Sequence, residues 1–230
     1  MTPTVSRTRL AFTPVTLVVG LGAVIGAGIQ AALRDDAPPP AKVELPKINT
    51  ANAAVSAANT LGFPQVKGGD FKLVDHHGKV RTSRNPAGHY QFFFFGYAKC
   101  KAICTTALPA MADAVEILEA SGVTVSPLLI TVDPGRDTIA TLREEAPKIH
   151  PSLVGQTGSG QALDAAYKAF NVEKKFLFDH LEEGPIYTHG SFIYLLDADG
   201  QFKTLFPPIM SPKQIATVTA GYINNGNAVN

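Results

Sequence analysis

The stretch Gln91-Phe92-Phe93-Phe94-Phe95-Gly96-Tyr97 limits what this chain can fold into more than any other segment. Successive side chains of a strand point to opposite faces, so four consecutive phenylalanines require cover on both. An apolar run of this length, stopped by a glycine, predicts a buried strand in a parallel or mixed sheet. The only two cysteines of the chain, Cys100 and Cys104, follow directly. Beyond them Ala107, Leu108, Met111, Val115 and Leu118 recur at helical spacing. The thiols therefore fall on a strand-to-helix turn. Unsatisfied N–H groups at a helix start, together with Lys99 and Lys101, favour the thiolate, the form that attacks disulfides and binds metals.

The chain has 230 residues and a formal net charge of +1, enough for one well-cored domain with appendages. Balanced charge without a Lys/Arg run gives no basis for nucleic-acid binding, and no Gly-rich phosphate loop is present. Residues 1–9 contain Arg7 and Arg9, and residues 10–33 contain no charge. About 20 apolar residues at a 1.5 Å rise span a bilayer core of roughly 30 Å. The flanking arginines favour a cytoplasmic N-terminus, so the remainder is expected to be exported on an uncleaved signal anchor. A cleaved signal peptide competes, because Ala27, Ala31 and Ala32 are small, but the run exceeds the usual length of such a peptide. Both readings put the thiols in an oxidising compartment.

Residues 34–65, with Pro38-Pro39-Pro40, Pro46 and Pro64, predict a Pro/Ala-rich linker, and residues 66–230 the folded domain. Phe71–Asp75 and Lys79–Thr82 flank His76-His77-Gly78 as a hairpin. Thr124–Val132 is a second buried strand, followed by a helix over Asp137–Ile149, a short strand at Ser152–Val154 and a helix over Ser159–Phe170. Phe192–Leu196 and Phe202–Phe206 form a hairpin around Asp199-Gly200, and Ser211-Pro212 opens the last helix. This order predicts an α/β domain: a thioredoxin-like central mixed sheet flanked by helices, carried by an N-terminal transmembrane helix.

The spacing is Cys-x-x-x-Cys rather than Cys-x-x-Cys. In helical geometry positions i and i+4 share a face roughly 6 Å apart, within reach of one soft metal ion or of a disulfide. Two thiolates under-coordinate most metals, so a third ligand is needed. Of six histidines, His76 and His77 are expected as solvated turn residues, and His89 and His150 as surface or capping residues. His180 and His189 lie in or just after the polar segment Asp179–Thr188. His189, at the head of a strand, is the better placed. A Cys2His set suits Cu(I), with Cu(II) accessible and zinc conceivable.

Three ordered segments carry a family resemblance: Phe95-Gly96-Tyr97 leading into Cys100 and Cys104; Thr131-Val132-Asp133-Pro134-Gly135-Arg136-Asp137-Thr138; and Thr188-His189-Gly190-Ser191-Phe192-Ile193-Tyr194-Leu195-Leu196-Asp197. On these the chain resembles the Sco (SenC/PrrC) family of membrane-anchored, thioredoxin-like copper proteins that assist cytochrome c oxidase assembly. The resemblance implies Cys100, Cys104 and His189 as copper ligands. It implies a metallochaperone rather than an enzyme, delivering copper to a respiratory oxidase copper centre or maintaining its thiols. The implied partners are a copper-accepting oxidase subunit or another copper chaperone. The implied location is the bacterial inner membrane, single-pass, with the domain facing the periplasm.

Asp133, Arg136 and Asp137 match the second motif, and strand end, salt bridge and helix cap are their expected structural roles. Two departures mark a divergent member. Lys101-Ala102-Ile103 and Thr105 stand where the family has Pro-Asp-Ile and proline, and Thr188 replaces the aspartate before the histidine. The alternative functions are a membrane-anchored thiol–disulfide reductase using Cys100 and Cys104, which does not require His189, or a copper-dependent redox sensor at the same site. A peroxide-reducing enzyme of the same fold would need a single reactive cysteine.

Overall fold

The computed structural model describes residues 66–99 and 104–227. The expected anchor (10–33) and linker (34–65) lie outside them. Among the described residues no helix is long and apolar enough to cross a membrane.

Among the described residues nine strands and four helices follow one another. They are β1 (Lys72–Asp75), β2 (Val80–Thr82), β3 (Tyr90–Gly96), α1 (Cys104–Ala120), β4 (Val125–Thr131), α2 (Ile139–Ile149), β5 (Val154–Thr157), α3 (Gly160–Ala169), β6 (Lys175–His180), β7 (Gly184–Thr188), β8 (Ile193–Leu196), β9 (Phe202–Phe206) and α4 (Pro212–Asn227). Seven strands form one sheet in the order β2-β1-β5-β4-β3-β8-β9. The three central strands are parallel: β3 runs with β4 and β4 with β5. The flanking pairs β1–β5, β1–β2, β3–β8 and β8–β9 are antiparallel. The result is the expected mixed sheet with a thioredoxin-like helical cover.

The phenylalanine run explains the layering. Phe92 and Phe94 enter a core with Leu108, Met111, Val115 and Leu118 of α1, Leu142 of α2 and Ile215 of α4. Phe93 and Phe95 enter the opposite core with Phe71, Leu163 and Tyr167 of α3, Phe170 and Tyr194. All four rings are fully buried. At about 1.5–3 kcal/mol for each buried large side chain, the four rings together contribute roughly 6–12 kcal/mol of burial. Edge-on aromatic packing adds to it, with Phe95–Tyr194 centroids 5.5 Å apart at 88° and Phe71–Phe93 5.7 Å apart at 62°.

The β8–β9 turn needs its glycine. Gly200 has φ +80°, and a Cβ there would lie 2.7 Å from the Ser83 carbonyl oxygen. The short strand expected at Ser152–Val154 begins later, at Val154. The His150 ring holds a turn instead: its Nδ1 accepts from Ser152 N at 3.2 Å and lies 2.8 Å from Ser152 Oγ.

Two further expectations are corrected. His76 is buried rather than solvated, because its backbone joins β5. His76 N donates to Gly155 O at 2.9 Å, and Gly155 N donates to His76 Nδ1 at 3.1 Å. The segment Asp179–Thr188 is not merely polar loop. It supplies the turn and second strand of the β6–β7 hairpin, a separate two-stranded sheet.

Candidate metal centre

β3 ends at Gly96, four residues before Cys100. Cys100 lies outside the described residues, and Cys104 is described only as the first residue of α1. The frame around them is well determined by buried polar contacts. Asp137, almost fully buried, accepts from Ala98 N at 3.1 Å and from Thr131 Oγ1 at 2.7 Å. Its carboxylate therefore ties the end of β4 to the residue two before Cys100. Burial pushes its pKa above the ordinary carboxylate value, against the hydrogen bonds from Thr131 and Ala98. The expected cap role belongs to the next residue instead: Thr138 Oγ1 accepts from Thr141 N at 3.1 Å.

Asp133 and Arg136 form the expected ion pair. Arg136 also reaches across to the β6–β7 hairpin, donating to Glu183 O and, at 2.6 Å, to Pro185 O. Its guanidinium lies 5.1 Å from the centroid of the Tyr97 ring. Tyr97 in turn packs edge-on against Tyr187 of β7, centroids 6.4 Å apart, and against His189, 5.9 Å apart at 80°. An open cleft of about 510 Å³ lies beside this cluster, lined by Tyr97, Lys99, Arg136, Asp137, Glu182 and Glu183.

His189 follows β7 directly. It is only 3% exposed, with its ring also 6.0 Å from that of Phe94 at 86°. The imidazole thus packs on two side chains of the β3 segment, one of them three residues before Cys100. Its Nδ1 lies 2.6 Å from Gly190 O. A carbonyl only accepts, so this contact favours a proton on Nδ1. Burial holds the pKa below the ordinary histidine value, opposed by the backbone carbonyls of Gly190, Phe95 and His189. A neutral imidazole fits what a soft metal requires of a nitrogen ligand.

The other histidines stand apart from this cluster. His76 and His77 share a hydrogen bond between their Nε2 atoms at 2.9 Å in the β1–β2 turn, and His180 is exposed on β6. Among the described residues no three His, Cys, Asp or Glu side chains are grouped to hold a metal. The roles of Tyr97 and Arg136 around His189 were not read from sequence. An arginine in the second motif was visible, but its hairpin partners are backbone carbonyls 47 and 49 residues away.

A family model described as SCO1/SenC matches residues 59–224. The chain belongs to the SCO1/SenC family. This SCO1/SenC chain is 35% identical over 155 residues to the SCO2-like protein of Rickettsia felis, covering 67% of this chain and 76% of that one. Arabidopsis thaliana ScoI with copper bound matches its structure with a TM-score of 0.64 at 28% identity, covering 70% of this chain and 99% of the other. Yeast Sco1 with copper bound matches with a TM-score of 0.62 at 29% identity, covering 71% and 90%.

Proposed function

We propose that this chain is a membrane-anchored copper metallochaperone that holds copper through Cys100, Cys104 and His189. It passes the ion by ligand exchange to a respiratory oxidase copper centre or to another copper chaperone. The reading is carried by one observation: the buried His189 ring packs on Phe94 and Tyr97, in the strand segment that leads into Cys100. Copper bound to the related Arabidopsis and yeast structures supports the choice of metal.

The donor set is chemically coherent. Two thiolates and a neutral imidazole suit Cu(I), and the dithiol must be reduced before the metal can bind. Loading is therefore coupled to the redox state of Cys100 and Cys104. Two thiolates, an imidazole and Cu(I) sum to one negative charge, which Lys99 and Lys101 partly balance. In this reading residues 10–33 anchor the domain in the inner membrane, and the linker 34–65 presents it to the periplasm.

Cu(I) titration of the reduced full-length chain against a competing chelator tests the proposal. The His189→Ala variant should bind Cu(I) at least ~10-fold more weakly, while its thiol–disulfide exchange rate stays unchanged. Equal copper affinity in the two proteins would leave a dithiol reductase as the better reading.

A further inference from the structure

A short seam, held by two imidazoles, joins the β1–β2 hairpin to the rest of the sheet. Strand pairing between β1 and β5 covers Val74 with Thr157 and Asp75 with Gln156. His76 extends it: its N donates to Gly155 O at 2.9 Å, and Gly155 N donates to its Nδ1 at 3.1 Å. An N–H only donates, so Nδ1 carries a lone pair and the proton of the neutral ring is on Nε2. His76 Nε2 lies 2.9 Å from His77 Nε2, which is therefore the acceptor. Arg143 of α2 closes the seam, donating from Nε to His76 O at 3.0 Å.

We propose that the His76–His77 pair is a proton-released latch, which docks the β1–β2 hairpin on β5 at neutral pH and lets it go in mild acid. The hydrogen-bond chain from Gly155 N–H through His76 to His77 has no place for another proton. An imidazolium at His77 turns its Nε2 from acceptor to donor, so two N–H groups meet at 2.9 Å. Moving the His76 proton to Nδ1 would restore an acceptor on Nε2, but the proton would then face the N–H of Gly155. One added proton therefore breaks one contact or the other. His77 is exposed and takes the proton from solvent, whereas His76 is only 3% exposed.

The groups around His76 reinforce this response. From the hairpin, His77 and Arg81 oppose a charge on the ring, and Arg143 does so from α2; β5 brings no titratable side chain. Asp75 favours the charge, but its carboxylate is already engaged by Arg81 Nε and by the backbone N–H groups of His77 and Lys79. Burial is the largest influence, and with His77 it holds the His76 pKa below the ordinary 6.5. The open seam thus binds more protons than the closed one. The latch is fully set above 6.5 and weakens as pH falls below it. Phe71 and Leu73 stay buried in the α3-side core, which confines release to residues 75–82. The latch works without copper, and in an exported domain the signal it reads is the pH of the surroundings.

Hydrogen exchange of the full-length chain in detergent micelles tests the latch. Between pH 7.5 and 5.0, after correction for intrinsic rates, protection across residues 75–82 and 154–157 should fall at least ~10-fold. Protection in β3 and β4 should stay constant. The Asp75 carboxylate, held below 3.8, stays charged throughout this range. His76→Asn keeps an oxygen acceptor for Gly155 N–H that takes no proton, so its protection should not change with pH. His77→Gln, at an exposed position, offers His76 Nε2–H an oxygen that remains an acceptor, and its fall should be smaller than the parent's. This second variant keeps the test decisive should His76→Asn fail to fold. Parent protection independent of pH, a fall spread evenly over β3 and β4, or a His77→Gln response equal to the parent's would overturn the proposal. So would a folded H76N protein that keeps the parent's pH dependence.

Discussion

The Tyr97 ring stands between two groups from distant parts of the chain, the Arg136 guanidinium 5.1 Å from its centroid and the His189 imidazole 5.9 Å away. Tyr97 is three residues before Cys100, so the residue just past β3 physically couples the second sequence motif to the late histidine. Burial raises the phenol pKa, against the opposing charge of Arg136, so Tyr97 stays neutral over the working pH range. It acts as a packing wedge rather than a charged partner.

Arg136 is expected to be the main tether of the β6–β7 hairpin. A two-stranded hairpin is marginal on its own in water, and Arg136 supplies donors to Glu183 O and Pro185 O. Arg136→Ala should destabilise the domain by about 1–3 kcal/mol and raise amide exchange across Lys175–Thr188. Arg136→Lys should recover little, because an ammonium cannot span both carbonyls, Asp133 and the Tyr97 face at once. Denaturant titration and hydrogen exchange together check both outcomes. Exchange in β6–β7 no faster than in the parent would count against the tether.

Asp137 gives a signed pH dependence. Its pKa is raised in the fold by burial, so the folded chain holds that proton more tightly than the unfolded one. The contribution is present below the unfolded value near 3.8 and is lost as pH rises through the folded value. Asp137→Asn keeps an acceptor for Ala98 N without the ionisation cost. The stability of the parent relative to Asp137→Asn should therefore increase as pH falls from 7 towards 4. Urea melts at several pH values check the slope, and a slope of opposite sign would mean that the carboxylate is stabilised as an anion.

Asp75 should behave in the opposite sense. Burial raises its pKa, but hydrogen bonds from Arg81 Nε (2.7 Å) and from the backbone of Lys79 and His77 (both 2.9 Å) more than offset this, so the net shift is downward. Its stabilisation is full above 3.8 and disappears as pH falls through the lower folded value. Asp75→Asn should cost about 1–3 kcal/mol at neutral pH, with the difference from the parent closing in acid. The same melts measure it.

Phe94→Ala should be the most damaging single change in β3 for both fold and site. It opens a cavity in the α1-side core and removes one of the two rings that pack on His189. A loss of about 3–5 kcal/mol is expected. Phe94→Leu, at smaller stability cost, should still weaken Cu(I) binding, which a chelator competition would detect.

The layered core was legible in the sequence because Phe92–Phe95 admit few solutions: four rings on alternate faces require a doubly covered strand. The β8–β9 hairpin was legible for an equally local reason, Asp199-Gly200 between two apolar runs. His76 was misread because its burial depends on pairing with Gly155, a partner 79 residues away. The β6–β7 hairpin was missed for a similar reason. Its apolar residues face solvent instead of alternating towards a core, and Arg136, which holds it, lies in another motif. Of the candidate metal centre, the sequence identified His189 as the best-placed histidine. It could not reveal that Phe94 and Tyr97 pack on the ring or that Nδ1 lies against Gly190 O.

X-ray absorption at the copper edge of the reduced, Cu(I)-loaded chain tests the central claim most directly. The predicted first shell holds two sulfurs and one nitrogen, with imidazole outer-shell scattering that disappears in His189→Ala. A shell of sulfur alone in the parent, unchanged by that substitution, would contradict the assignment of His189 as the third ligand.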